Sequence, residues 1–184
     1  MPSFIPPEVL LLGPGPSPVP QRILDALARP TIGHLDPRFV GMMDDLKRLL
    51  RYAFQTGNEL TIPVSAPGSA GMETAFVNVI EPGDTVIVCQ NGVFGGRMRE
   101  NVVRIGAMPV MVNDAFGTPI DLDKVRSALK ANPGARALAF VHAETSTGVE
   151  SDAAELCRLA QEYGALSIVD AVTSLGGIPV CADA

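Results

Sequence analysis

A chain of 184 residues with 47% apolar side chains can bury a real core, and its length fits one domain with an arm attached. Its net charge of -6, with 14 basic residues that do not cluster, argues against nucleic acid or an anionic membrane as its main partner. No apolar run approaches the roughly 18–20 residues needed to span a bilayer, and the start lacks the basic residues of a signal or transit peptide.

Residues 1–20 are rich in proline and contain the run Gly13-Pro14-Gly15-Pro16, so this part cannot be helical and reads as an extended arm. Residues 21–29 follow as a short helix with Ile23, Leu24 and Leu27 on one side, ended by Pro30. In the loop Gly33-His34-Leu35-Asp36-Pro37, Asp36 is placed to cap the next helix and Pro37 to begin it. Met43, Leu46, Leu49, Leu50 and Ala53 carry that helix to about Phe54, before Gly57-Asn58. Over residues 60–65, apolar Leu60, Ile62 and Val64 alternate with Thr61, Pro63 and Ser65, which predicts a short strand.

The stretch Ser65-Ala66-Pro67-Gly68-Ser69-Ala70-Gly71-Met72-Glu73 leads from that run into a helix. Met72, Ala75, Phe76, Val79 and Ile80 recur on one face until Pro82-Gly83. Gly68 and Ala70 carry no bulk, Ser69 offers a hydroxyl, and the first-turn amides have no partner within the helix. With about half a positive charge from the helix dipole, this is a cradle for a phosphate, although the same residues also read as an ordinary capped helix.

From here the pattern is regular. Apolar strands are predicted over 85–89, 107–112, 136–141 and 166–169, and a further one begins over 177–180. Helices lie between them: one after Asn91-Gly92 through Met98, Val102 and Ile105, one over 121–130, and one over 151–163. Apolar strands separated by single helices mean an α/β fold, a mostly parallel sheet with helices on both faces. In such sheets ligands bind beyond the carboxyl ends of the strands. The residues to inspect are therefore Gly68-Ser69-Ala70, Asn91-Gly92-Val93-Phe94, His142-Ala143-Glu144-Thr145 and Asp170-Ala171-Val172. An acid ending a buried strand, as Asp170 does, needs a cation or hydrogen bonds nearby; its bland alternative is a helix-capping Asp. Phe94 reads equally as a core ring and Thr145 as a turn hydroxyl. His34 and His142 are too few and too separated for a metal centre. Cys89, Cys157 and Cys181 suit buried thiols in a reducing compartment, the cytoplasm by default.

These loops resemble the class V aminotransferases, pyridoxal-phosphate enzymes of fold type I, and among them the alanine–glyoxylate and serine–glyoxylate (serine–pyruvate) group. The carriers are Leu12-Gly13-Pro14-Gly15-Pro16, Gly33-His34-Leu35-Asp36-Pro37, Gly68-Ser69-Ala70-Gly71-Met72-Glu73, Asn91-Gly92-Val93-Phe94-Gly95, Glu144-Thr145-Ser146-Thr147-Gly148-Val149 and Val169-Asp170-Ala171-Val172-Thr173-Ser174-Leu175-Gly176-Gly177. The resemblance runs along essentially the whole chain, in order and spacing. It implies pyridoxal 5'-phosphate as cofactor, with Gly68, Ser69 and Ala70 at its phosphate, Phe94 stacked on its ring where the family often has a Trp, and Asp170 as the catalytic partner of the protonated ring nitrogen. It further implies that Thr145 orients the ring, Val172 packs beneath it, and Gly15 borders the amino-acid substrate. No role for Glu144 follows. Residues 1–20 become an arm, residues 21–184 the N-terminal part of the large domain, and the whole protein a homodimer acting on a small amino acid and a 2-oxo acid.

The family's Schiff-base lysine lies after the strand that ends in Asp170, in a segment of Ser-Gly-Ser-Gln-Lys type, and the chain reaches Ala184 without it. Lys47, Lys124 and Lys130 are the lysines present, and none matches that motif. The substrate-carboxylate arginine of the C-terminal domain is likewise absent. The expectation is the first half of an aminotransferase, inactive alone, because transamination needs a lysine to carry the cofactor and move the proton. Two other readings stay open: a cysteine desulfurase or phosphoserine aminotransferase relative, and a non-catalytic α/β module that holds a phosphorylated ligand.

Overall fold

A computed structural model describes residues 3–183 and divides the chain into two compact units, one through Asp45 and one from Leu46 onward. In the first unit, residues 3–20 have no helix or strand, as the prolines require. Helix α1 spans Gln21–Leu27, and α2, Pro37–Phe54, begins in this unit and ends in the second. Asp36 accepts the backbone N–H of Arg38 at 2.9 Å and pairs with its guanidinium at 2.7 Å, so the predicted cap and the proline start are both present.

The second unit is built by strands whose alternate residues enter different cores. Strand β1 is Thr85–Gln90, β2 Met108–Asn113, β3 Ala137–Val141 and β6 Leu166–Asp170; they pair in the order β2-β1-β3-β6, all parallel. The two-residue strands β4 (Ala143–Glu144) and β5 (Val149–Glu150) form a small antiparallel hairpin directly after β3. Helices α3 (Gly68–Val79) and α4 (Val93–Ile105) lie toward one core; α5 (Leu122–Ala131) and α6 (Ala153–Glu162) lie toward the other. Val86, Val88, Ala137 and Ala139 pack with Phe76, Met98 and Val102. Ile87, Cys89, Leu138 and Phe140 pack with Val125, Leu129, Leu156 and Leu159. This is a mostly parallel sheet covered on both faces, and the near-continuous apolar runs of β1 and β3 follow from burial on both sides.

Two predicted strands do not form. Residues 60–65 are irregular: Pro63 has no N–H to give a ladder, and Leu60 and Ile62 are exposed. Residues 177–180 make only a single bridge, Leu175 with Ile178. Pro179 again lacks a donor, and the chain beyond it is held elsewhere: the Ala182 N–H donates to Phe54 O at 3.0 Å, and Asp183 accepts from the Thr56 hydroxyl and the Gly57 N–H.

Burial, reinforced by the charge of Asp114, pushes the Cys89 thiol up to about 12. Since the thiolate is the reactive form, iodoacetamide at mildly alkaline pH is expected to modify exposed Cys181 in the native chain and Cys89 only after denaturation. Peptide mapping reads this, and native labelling of Cys89 at the rate of Cys181 would contradict the burial of β1.

Candidate functional site

The predicted phosphate cradle is the N-terminus of α3. Pro67 precedes it and supplies no side-chain cap; its carbonyl accepts the Ala70 N–H at 2.9 Å. The amides of Gly68 and Ser69 have no acceptor within the helix. A Cβ on Gly68 would sit 3.6 Å from Val172 Cγ2, so the cradle and the segment after β6 lie side by side. The Ser69 hydroxyl accepts from Arg97 Nη1 at 3.3 Å, and the same guanidinium lies 4.6 Å from the centre of the Phe94 ring, a cation–π distance.

Phe94 is in the first turn of α4, whose cap, Gly92, also has no side chain to offer. The hairpin after β3 provides it. Glu144, fully buried, accepts the Phe94 N–H on Oε2 at 3.2 Å; on Oε1 it accepts the Ser146 hydroxyl at 2.6 Å and the Ser146 N–H at 3.1 Å. The Ser146 hydroxyl in turn accepts the Val93 N–H at 3.0 Å. A buried carboxylate costs several kcal/mol unless it is met by donors; here two belong to Ser146 and one to the positive end of a helix.

Asp170 ends β6 opposite Val141 of β3, and its carbonyl accepts the His142 N–H at 3.0 Å. Its side chain accepts the Val172 N–H at 2.9 Å. Burial raises its pKa, the Val172 N–H opposes this, and the charge of Glu144 adds to it. Among the described residues no cation pairs with it. The Thr145 and Thr173 hydroxyls share a short hydrogen bond, which joins the turn after Glu144 to the segment after Asp170.

The contacts close a circuit: Gly68 to Ser69, Arg97, Phe94, Glu144, Thr145, Thr173, Val172 and back to Gly68. Every predicted site residue of the second unit stands in it or beside it, Ala70 one residue past Ser69 and Asp170 held by Val172. Gly15 belongs to the first unit. A cleft of about 500 Å³ between α3 and α4 is lined by Ser69 and Arg97 but not by Phe94, Thr145 or Asp170, so it meets the circuit on one side only. Sequence reasoning missed Arg97, Ser146 and Thr173 and left Glu144 without a role. The three-residue spacing of Arg97 from Phe94 on a helix was a signal for the first; the pairing of Glu144 with α4 crosses fifty residues and left none.

Residues 9–183 match the family described as Aminotransferase class-V. The chain is 41% identical over 178 residues to alanine–glyoxylate aminotransferase of Oryctolagus cuniculus, covering 96% of this chain and 45% of that protein. It is similar to the crystal structure of alanine–glyoxylate aminotransferase from Nostoc sp., with a TM-score of 0.91 and 43% identity over 98% of this chain and 48% of the other. It is also similar to that of ureidoglycine–glyoxylate aminotransferase from Bacillus subtilis, with a TM-score of 0.94 and 34% identity over 98% and 46%. The chain thus spans about half the length of the relatives it matches. With the match running nearly end to end and the fold reproduced in both solved structures, the chain belongs to the class-V aminotransferases.

Proposed function

We propose that the whole protein transfers an amino group from a small amino acid, such as alanine or serine, to glyoxylate or another small 2-oxo acid, and that this chain supplies the bed for pyridoxal 5'-phosphate. The observation that carries the reading is Asp170: a half-buried acid, made harder to ionise by burial and by Glu144, with no cation among the described residues to meet it. A protonated pyridine nitrogen is the cation it lacks. The α3 amides without acceptors suit a phosphate, and the half-buried Phe94 ring suits a flat aromatic ligand. The residues present therefore fit the group.

Bound there, pyridoxal phosphate would supply an electron sink for the pair left when a substrate carbon loses its proton. Asp170 would hold the proton on the ring nitrogen, since an acid facing a protonated nitrogen across an effective dielectric of about 20 gains a few kcal/mol before desolvation. Gly68, Ser69 and Ala70 would hold the phosphate, Phe94 and Val172 would pack on the ring, and the Thr145 hydroxyl would set its orientation. Gly15, in the first unit, keeps only the role that the family resemblance gives it, at the amino-acid substrate. The lysine roles, carrying the cofactor and moving the substrate proton, have no candidate at a strand end: Lys47 is on α2, and Lys124 and Lys130 are on α5. By itself the chain then binds without catalysing.

We read residues 1–20 as an arm, residues 21–184 as the N-terminal part of the large domain, and the whole protein as a homodimer; exposed Phe4, Ile5, Leu10 and Leu12 support a covering partner. Three cysteines without disulfides favour the cytoplasm. Among the described residues no helix is long and apolar enough to cross a membrane. Titrating the purified chain with pyridoxal 5'-phosphate, followed by borohydride, tests the reading. Saturable binding with the spectrum of the free aldehyde and no reducible link is expected; absence of binding, or a stable reducible imine, would overturn it.

A further inference from the structure

Glu144 is the one fully buried carboxylate among the described residues, and no step proposed above uses it. Its backbone is held as firmly as its side chain. The Glu144 carbonyl accepts the Gly148 N–H at 2.7 Å and the Thr147 N–H at 3.1 Å, closing the hairpin turn, while that hairpin is tied back to β6 through the bond from the His142 N–H to Asp170 O. The carboxylate then reaches out to α4 and takes the Phe94 N–H, with Ser146 relaying to the Val93 N–H. The fit is tight enough that a Cβ on Gly92 would overlap Glu144 Cγ.

We propose that Glu144, together with Ser146, is a positioning residue: it locks the first turn of α4 to the β4–β5 hairpin, so that the Phe94 ring and the Thr145 hydroxyl are held at a set separation on two sides of one ligand ring. Stability alone is a poor reason for this choice, because a buried charge is commonly replaced by apolar residues of similar volume without loss. What a carboxylate adds is direction. It accepts from several donors at once, and here they come from the two segments that carry Phe94 and Thr145. The consequence for the cofactor rests on the pyridoxal-phosphate reading; the consequence for the Phe94 ring does not.

The chain has no Trp, so Phe94→Trp installs a single fluorescent reporter at the ring in question. In that background Glu144→Gln keeps the shape but turns one acceptor into a donor facing another donor. Pyridoxal 5'-phosphate affinity is expected to fall about 10-fold, the usual scale for a hydrogen bond to a charged group, and acrylamide quenching of the indole without cofactor is expected to rise. Ser146→Ala should shift both readings the same way and less. Thermal melts and circular dichroism identify folded variants. A folded Glu144→Gln protein with unchanged indole accessibility and affinity overturns the proposal, even if its melting temperature is lower, since that is what a purely structural role predicts. If Glu144→Gln does not fold, Ser146→Ala decides by the same two readings. If the unsubstituted chain binds no pyridoxal 5'-phosphate, the cofactor reading fails, and the quenching comparison still decides the positioning.

Discussion

Asp170→Asn should weaken pyridoxal 5'-phosphate binding by roughly 10- to 100-fold, the loss of one charge-assisted hydrogen bond, and at the same time stabilise the ligand-free chain near neutral pH. The two effects have one cause. Burial, partly opposed by the Val172 N–H and augmented by the charge of Glu144, raises the Asp170 pKa above its ordinary 3.8. A folded-state pKa above the unfolded one means that the folded chain holds the proton more tightly. The stability this contributes is complete below the unfolded value and is lost as pH rises through the folded one. Asn is neutral throughout and keeps an oxygen for the Val172 N–H. Its advantage should therefore appear at neutral pH and vanish in acid below the ordinary aspartate range. Melting curves across a pH series, with cofactor titrations at neutral pH, check both halves. A variant that is less stable at neutral pH, or that binds as the parent does, contradicts the assignment of Asp170 as an acid awaiting a cation. A generic phosphate-binding module would hardly register the change in affinity.

The second large effect is expected at Gly92. Its φ of -175 is ordinary extended backbone, so any residue could adopt it; the obstacle is space. A Cβ there would lie 2.2 Å from Glu144 Cγ, 2.3 Å from Cδ and 2.7 Å from Ser146 Oγ. Relieving the overlap means pulling the carboxylate off the α4 amides while it remains buried. Overpacking and a disrupted buried charge together should cost about 3 kcal/mol, a fall of roughly 6–12 °C in melting temperature for a chain of this size. Gly71, inside α3 with open space at its Cβ position, is the control: Gly71→Ala should be neutral or stabilise by about 0.5–1 kcal/mol. Denaturant unfolding of both variants gives the comparison. A Gly92→Ala chain as stable as the parent would mean that the hairpin does not press on α4.

Much of the candidate site was legible because its members follow strand ends. Once β1, β3 and β6 could be read from apolar runs, the rule that ligands lie beyond their carboxyl ends selected Phe94, Thr145 and Asp170, and the small residues before Phe76 selected the cradle. The unformed strands have an equally local explanation. Alternation over 60–65 and the start at 177–180 ignored that a ladder needs a donor at each inward bond, which Pro63 and Pro179 lack; the second of these segments instead runs back to the end of α2.

The sequence by itself determined the helices, the four strands of the parallel sheet and, to within a residue, where those strands end, because these depend on period, burial pattern and short-range caps such as Asp36, Asp121 and Asp152. Only the tertiary structure decided how those ends are joined. That Glu144 caps a helix fifty residues away, that Arg97 spans Ser69 and Phe94, and that Val172 rests against Gly68 are matters of distance across the sheet. No local pattern encodes them, since each partner alone reads as an ordinary surface acid, helix cation or loop residue.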